Sequence, residues 1–220
     1  MASLPIATGA AYGLCDCWFT CQSVIEAHLK QGYYFIGGLK SNRVIYPQGI
    51  RLQIKEFAQY IEQSDVHLVT VGRSEYWVYR YEGSLKGIDQ AVVLLCWPKS
   101  AFKKAYALHA FLCTDTELPT KTILEYYSQR WPIEIFFRQS KGNLGLNAYQ
   151  IRSIQAIDRI LALIALSYLY CVTGSGQYQP LGRGLREIRA QTQRDKITMI
   201  YTAAQQGVPL AKLFSTFKVA

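Results

Sequence analysis

Tyr127, Arg130, Glu134 and Lys141 recur at offsets of 0, 3, 7 and 14 along the chain. On a continuous α-helix these offsets fall at roughly 0°, 300°, 340° and 320°, an arc of about 60°, so a phenol, a guanidinium, a carboxylate and an ammonium share one ridge. A carboxylate that can hold a metal ion, flanked by cations and a hydroxyl, suits a phosphodiester. The metal polarises the phosphoryl group while the neighbours grip flanking phosphates. The same periodicity also describes a solvated helix face with Arg130 and Glu134 as an i,i+4 pair, and spacing alone leaves both readings open. Pro132 falls inside the run, where it removes one helical hydrogen bond and crowds the carbonyl of Ser128, so a bend is expected there.

The residues around this ridge add a resemblance. Glu125 to Gln150, EYYSQRWPIEIFFRQSKGNLGLNAYQ, resembles the third-acid helix of bacterial insertion-sequence DDE transposases, in the large branch with a Tyr, Arg, Glu, Lys signature. All four signature positions match. Leu14 to Thr20, LCDCWFT, is similar to the family's second-acid motif, an Asp at a strand end followed two residues later by Trp and then an aromatic. The resemblance implies an α/β chain with a ribonuclease H-like core, of the retroviral integrase superfamily, carrying a β-rich insertion and a helical C-terminal part. It implies enzymes that cut and join DNA at insertion-sequence ends by two-metal phosphodiester hydrolysis and strand transfer.

Carried over residue by residue, Asp16 is the second acid and Glu134 the third, both catalytic and both metal ligands. Tyr127 and Lys141 hold phosphates near the cleaved end, and Arg130 orients the strand beside it. Lys40, Asn42 and Arg43, in LKSNR, resemble the family's DNA-facing loop. Hard carboxylate oxygens favour Mg²⁺ or Mn²⁺. Read without the resemblance, Asp16 is also an N-cap for the helix that follows, and LKSNR a solvated basic turn.

The elements that must position these residues follow in a legible order. Ile6 to Leu14 suggests a short buried strand, Trp18 to Gln31 a helix and Tyr33 to Leu39 a strand broken by glycines. From Val44 to Cys113 the runs HLVTVG, EYWVYRYEG, AVVLLCW and YALHAFLC are β-branched or aromatic, separated by turns such as Glu82 to Gly87 and interrupted by a short helix near Lys55 to Glu62. Trp77 and Trp97 alternate into core positions there. Helical patterning returns from about Pro119. The apolar run Ile160 to Val172, shorter than the ~20 residues that cross a bilayer, reads as a buried core helix ended by Gly174, Ser175 and Gly176. Two further helices follow, over roughly Leu181 to Gln206 and Pro209 to Phe217. In the first, Leu181, Leu185 and Ile188 form an apolar stripe beside Arg183, Arg186, Arg189 and Arg194. The expected divisions are 1–42 for a partial core with the second acid, 43–113 for the β-rich insertion, 114–174 for the remaining core helices with the third acid, and 175–220 for the helical end.

Composition narrows the partners. At 50% hydrophobic and 18% charged, the 220 residues can bury a substantial core, which excludes a disordered chain. The net charge of +9 is concentrated in one half: residues 1–120 hold 11 Lys and Arg against 10 acids, residues 121–220 hold 13 against 5. That asymmetry favours a polyanion, and the resemblance implies that it is double-stranded DNA at transposon ends. Cys15, Cys17 and Cys21 are spaced C-x-C-x3-C with no matching Cys or His pair, which argues against a zinc site, and His28, His67 and His109 are scattered. Met1 to Leu14 lacks a basic start and a long apolar core, so a reducing compartment is expected, and the resemblance implies the bacterial cytoplasm at the nucleoid.

One feature of the chemistry is absent from these residues. Two-metal cutting requires an earlier Asp on a central strand, and the 15 residues ahead of Asp16 contain no acid. The expectation is therefore a C-terminal transposase portion, inactive alone, that pairs with an upstream fragment or forms a homodimer. The alternative is a non-catalytic DNA-binding or dimerising regulator derived from a transposase. No membrane partner is expected.

Overall fold

Apolar residues that alternate in and out along β-branched runs need a cover on each face of the sheet they form, and the first half of the chain provides both covers. In the computed structural model, which describes residues 5–174 and 176–217, the chain divides into two units, Met1–Trp131 and Pro132–Ala220.

The first unit contains β1 (Tyr12–Cys15), α1 (Gln22–Leu29), β2 (Tyr34–Leu39), β3 (Val44–Ile45), β4 (Leu52–Gln53), α2 (Ile54–Tyr60), β5 (His67–Val71), β6 (Ser74–Leu85), β7 (Ile88–Pro98), β8 (His109–Cys113) and α3 (Thr120–Ser128). The eight strands form one mixed sheet in the order β1-β2-β8-β7-β6-β3-β4, with β5 also on β6. Only β1 and β2 are parallel, joined through α1, with Tyr12 opposite Tyr34 and Cys15 opposite Gly37. The other pairings are antiparallel.

Strand β7 shows why its sequence is almost continuously apolar. Ala91, Val93, Leu95 and Trp97 enter the core beneath α1 and α2, while Val92, Leu94 and Cys96 enter the core beneath α3, so both faces of the strand are dry. Trp97 is 1% exposed and packs against Phe102, as does Trp77, so both indoles belong to the core as their alternation indicates. Strand β6 continues to Leu85, past the expected start of the turn at Glu82. The chain reverses at Lys86 and Gly87, with Gly87 at φ +85°, and a register break between Gly83 and Leu85 absorbs the extra length.

Helix α3 is tied to the sheet by Arg80. Its guanidinium donates to the carbonyls of Leu118 at 2.8 Å and Thr116 at 2.6 Å, just ahead of the helix. Ile123 and Leu124 then bury the inner face of α3.

Beyond α3 the single helix suggested by the signature spacing is two. A turn at Gln129 and Arg130 separates α3 from α4 (Trp131–Asn143). Pro132 is the second residue of α4, a first-turn position where the missing N–H costs no helical hydrogen bond, so the expected bend is a break and a fresh start.

The second unit continues with α5 (Ile154–Thr173), α6 (Leu181–Gln205) and α7 (Leu210–Phe217). The stripe on α6 packs as expected: Leu181, Leu185 and Ile188 meet Tyr168, Cys171 and Val172 of α5. Phe136 of α4 meets Tyr168 edge-on at 5.0 Å. The reading of the apolar run as a buried core helix is corrected. Leu163 and Leu166 are each 62% exposed and Leu169 is 55% exposed, with only Ile164, Cys171 and Val172 of α5 buried. Composition marks apolarity, but burial needs a neighbour, and α6 covers only one end of α5. With 20 residues, α5 is also long and apolar enough to cross a membrane by length and composition. Ser175, placed in the expected helix stop, lies outside the described residues.

Candidate functional site

Parallel strands direct the groups at their carboxyl ends to one side of a sheet, and open α/β sheets bind ligands there. Here β1 leads directly into Asp16 and β2 directly into Lys40.

Asp16 is half-buried and organises the turn that follows. Its Oδ1 accepts the backbone N–H of Trp18 at 2.9 Å and of Phe19 at 3.3 Å, and its carbonyl accepts the Thr20 hydroxyl at 2.8 Å. It is not the N-cap of α1, because Cys21 occupies that position. Both of these N–H bonds to the Asp16 carboxylate go to Oδ1.

Tyr127, near the end of α3, reaches back to this turn. A Cβ placed on Gly38 of β2 would lie 3.0 Å from the Tyr127 hydroxyl and 3.1 Å from the backbone nitrogen of Cys17. The phenol therefore lies close enough to Gly38 that a side chain there would press on it and on the Cys17 backbone, one residue from Asp16. Phe111 supports its ring from the sheet at 4.6 Å between centroids. Burial pushes the phenol above its ordinary value, and the Arg130 charge and hydrogen bond pull it back down, while Cys17 and Asp16 push it further up. The Arg130 guanidinium carbon lies 5.6 Å from the Tyr127 ring centroid. Cys15 senses the same charges: burial raises its thiol most, Asp16 raises it further and Arg130 lowers it. Asp16, Tyr127 and Arg130 thus form one cluster, although 111 residues separate the first two in sequence.

The basic loop LKSNR occupies the neighbouring corner. Arg43 N–H donates to the Lys40 carbonyl at 3.0 Å, closing a tight turn that leaves Lys40 and Asn42 exposed and Arg43 half-buried. The Lys40 ammonium lies 4.0 Å from the centroid of the Trp18 ring. The charge of Arg43 also contributes to lowering the Cys21 thiol, after the Ser23 hydroxyl and the Val24 N–H.

Glu134 and Lys141 lie in the second unit, both on α4, with Glu134 in its first turn and Lys141 in its last. Their offset of seven residues keeps them on one face of that helix. A carboxylate in the first turn is favoured by the helix dipole, and a lysine in the last turn likewise.

Gly38 and the Cys17 backbone are site elements that residue chemistry alone does not reveal. The available signal is the Gly-Gly pair inside an otherwise bulky strand, YFIGGL. A divalent cation fits the chain's donors in part. Asp16 offers a hard carboxylate oxygen at a strand end, but among the described residues no three of His, Cys, Asp and Glu come together as a ligand group.

Comparison with curated proteins finds no match to the chain. The family profile of the transposase DDE domain matches residues 8–170, a span that holds Asp16, the LKSNR loop, Tyr127, Arg130, Glu134 and Lys141. This is about three quarters of the sequence, and the chain belongs to the transposase DDE domain family.

Proposed function

We propose that the chain is the portion of a DDE transposase, of the Tyr-Arg-Glu-Lys signature branch, that grips the ends of an insertion sequence and supplies the second and third catalytic acids. In this reading β1, α1, β2 and the later helices belong to a ribonuclease H-like core, residues 43–113 form its β-rich insertion and residues 175–220 its helical end. The observation that carries the reading is the convergence of Asp16, Tyr127 and Arg130. Two motifs identified separately in the sequence meet at the carboxyl end of β1.

Each residue then has a physical task. Tyr127 donates its phenolic hydrogen bond to a phosphate oxygen; burial keeps it protonated, as a donor must be. Arg130 offers a planar fork to the adjacent phosphate, and Lys141 a point charge. Lys40, Asn42 and Arg43 contact the backbone of the flanking duplex. Asp16 and Glu134 would hold Mg²⁺ or Mn²⁺, which supplies Lewis-acid activation of the phosphodiester when bound.

Among the described residues β1 ends the sheet with β2 as its neighbour, and no three of His, Cys, Asp and Glu come together as a ligand group for a metal pair. An edge strand with open N–H and C=O groups accepts another strand. We take this edge as the place where an upstream transposase segment bearing the remaining acid pairs, in the bacterial cytoplasm at the nucleoid. The chain by itself is then inactive. A nicking assay on supercoiled DNA with Mg²⁺ or Mn²⁺ tests this: no cleavage is expected, and cleavage that disappears in Glu134→Ala would refute inactivity. DNA gripping is tested separately, by the slope of log affinity against log salt. Several phosphate contacts give a steep negative slope, and a flat line contradicts the reading.

The second reading is a non-catalytic DNA-binding or dimerising regulator. It draws on the same open edge, which a second copy could pair as well. Association with an intact homologous transposase in pull-down favours it when the nicking assay stays negative.

A further inference from the structure

One cavity of the first unit is walled by aromatic rings. It lies between α2 and β6, measures about 570 Å³, and its lining includes Phe57, Tyr60, Tyr79 and Tyr81 together with Pro47 and Ile50. Phe57 meets Tyr79 at 5.4 Å between centroids and 70° between planes, and meets Tyr81 at 6.3 Å and 66°. Rings set edge to face do not cover one another, so faces stay turned to the space between them. The Tyr81 ring is fixed by its hydroxyl, which donates to the Ser84 carbonyl at 3.1 Å and accepts the Tyr46 N–H at 3.3 Å. Tyr60 is 72% exposed and Ile50 is 59% exposed, so the cavity opens to solvent past two apolar groups. Gln48 and Gly49, at φ +51° and +79°, form the left-handed turn that leads into Ile50.

The electrostatics of this cavity contrast with those of the chain. The net charge is +9, yet the one cation of the described lining, Arg80, sends its guanidinium to the other face of the sheet, where it donates to the Thr116 and Leu118 carbonyls. Burial pushes the Tyr79 phenol above its ordinary value, the Asp65 carboxylate nearby pushes it further, and Tyr81 adds to the rise. Negative ring faces and a carboxylate charge therefore act on one space.

We propose that this corner of the first unit is an aromatic cage for an alkylammonium group, carried either by a free organic cation or by the lysine side chain of a partner. The chemistry selects this occupant. Ring quadrupoles attract a cation over their faces, and aromatic cages hold quaternary ammonium groups by this attraction. A phosphate is disfavoured, because it would meet the charge of Asp65 and no available cation. A cavity of this size, mostly apolar and with one charge beside it, has the proportions of a small-ligand site. The inference goes beyond the DNA-gripping reading and does not rest on it.

The test uses the full chain and four probes: choline, its neutral carbon isostere 3,3-dimethyl-1-butanol, N-acetyl-trimethyllysine amide and N-acetyl-lysine amide. Binding is read by NMR titration of the probe resonances. The charged probes should bind, and the neutral isostere should bind at least about tenfold more weakly than choline. Tighter binding of choline assigns the cage to a free cation, and tighter binding of a lysine derivative assigns it to a partner side chain; both support the proposal. Tyr60→Leu should weaken the charged probes by roughly 5- to 30-fold, and Tyr60→Phe by less than about threefold. An isostere that binds as tightly as choline overturns the cage and leaves a merely apolar groove. Absence of binding by every charged probe up to about 10 mM overturns it as well. Tyr60 is exposed, and matching circular dichroism melts identify Tyr60→Leu as folded; unchanged choline binding in that variant refutes the assignment. Should it unfold, Ile50→Lys replaces it. An ammonium on the chain itself should then block choline, and unchanged choline binding overturns the proposal.

Discussion

The hydroxyl of Tyr127 lies 3.0 Å from the point where a residue larger than Gly38 would place its Cβ. The phenol can yield, but the Cys17 backbone nitrogen at 3.1 Å cannot yield without shifting the Asp16 turn. Gly38→Ala is therefore expected to cost about 1 kcal/mol of stability, the low end for overpacking, and to displace Tyr127. Urea unfolding measures the first effect. The second appears as a loss of DNA affinity larger than the stability change explains, and an unchanged affinity would contradict the placement of Tyr127 at a phosphate.

Asp16 combines a structural and a chemical task, and substitution separates them. Asn keeps a side-chain oxygen for the Trp18 and Phe19 N–H groups, whereas Ala removes it. Asp16→Ala should destabilise the chain by about 1 kcal/mol, as loss of a capping oxygen does, and Asp16→Asn by less than about 0.5 kcal/mol. Mg²⁺-dependent protection of the turn from amide exchange should vanish in both variants. Protection retained in Asp16→Asn would show that the carboxylate holds no metal.

Several protons are held more tightly in the folded chain than in the unfolded one. Burial raises the phenols of Tyr12 and Tyr127 and the thiols of Cys96 and Cys113, the last pushed up to about 11; the Asp115 carboxylate, which accepts the Tyr12 hydroxyl at 2.6 Å, adds to the rise at Tyr12. Unfolded thiols ionise near pH 8.5 and phenols near pH 10, so above these values the unfolded chain binds fewer protons. Stability is then fully present below about pH 8 and falls as pH rises beyond it. Urea midpoints in reducing buffer between pH 7.5 and 10.5 should decrease steadily, and Tyr12→Phe should flatten the upper part of the curve. A midpoint that rises with pH would reverse the sign argued here.

The sequence displayed this sheet well because each strand carries its own signal. The continuous apolar run of β7 and the Gly-Gly pair in β2 are legible without knowledge of their neighbours. It concealed what depends on partners. The spacing of Tyr127, Arg130, Glu134 and Lys141 in the sequence is helical although the residues fall on two helices and the turn between them, because periodicity counts residues and does not register a two-residue turn. Asp16 reads as a cap from composition, yet the turn inserts enough residues that Cys21 takes that position. The apolar α5 looks like a core helix because apolarity is local, while the exposure of Leu163 and Leu166 is decided by what lies opposite. The contact of Tyr127 with the Asp16 turn is a long-range pairing that no local pattern encodes.

The joint between α5 and α6 offers the sharpest structural prediction. Gly184 lies so close to the end of α5 that a Cβ there would overlap the Cys171 carbonyl oxygen, a backbone atom that cannot swing aside. Around it the stripe of Leu181, Leu185 and Ile188 provides the buried contact between these helices, and the Gln179 amide bridges the Cys171 carbonyl at 3.3 Å and Glu187 at 3.0 Å. Gly184→Ala gains helix propensity of about 1 kcal/mol, which alone would stabilise α6. Overpacking against backbone costs more, about 3 kcal/mol, so the net effect should be a loss of roughly 2 kcal/mol. Limited proteolysis should then cut between Thr173 and Leu181 faster than in the unaltered chain. Resistance equal to or greater than the unaltered chain's would mean that propensity prevails and that the two helices meet less closely at this joint.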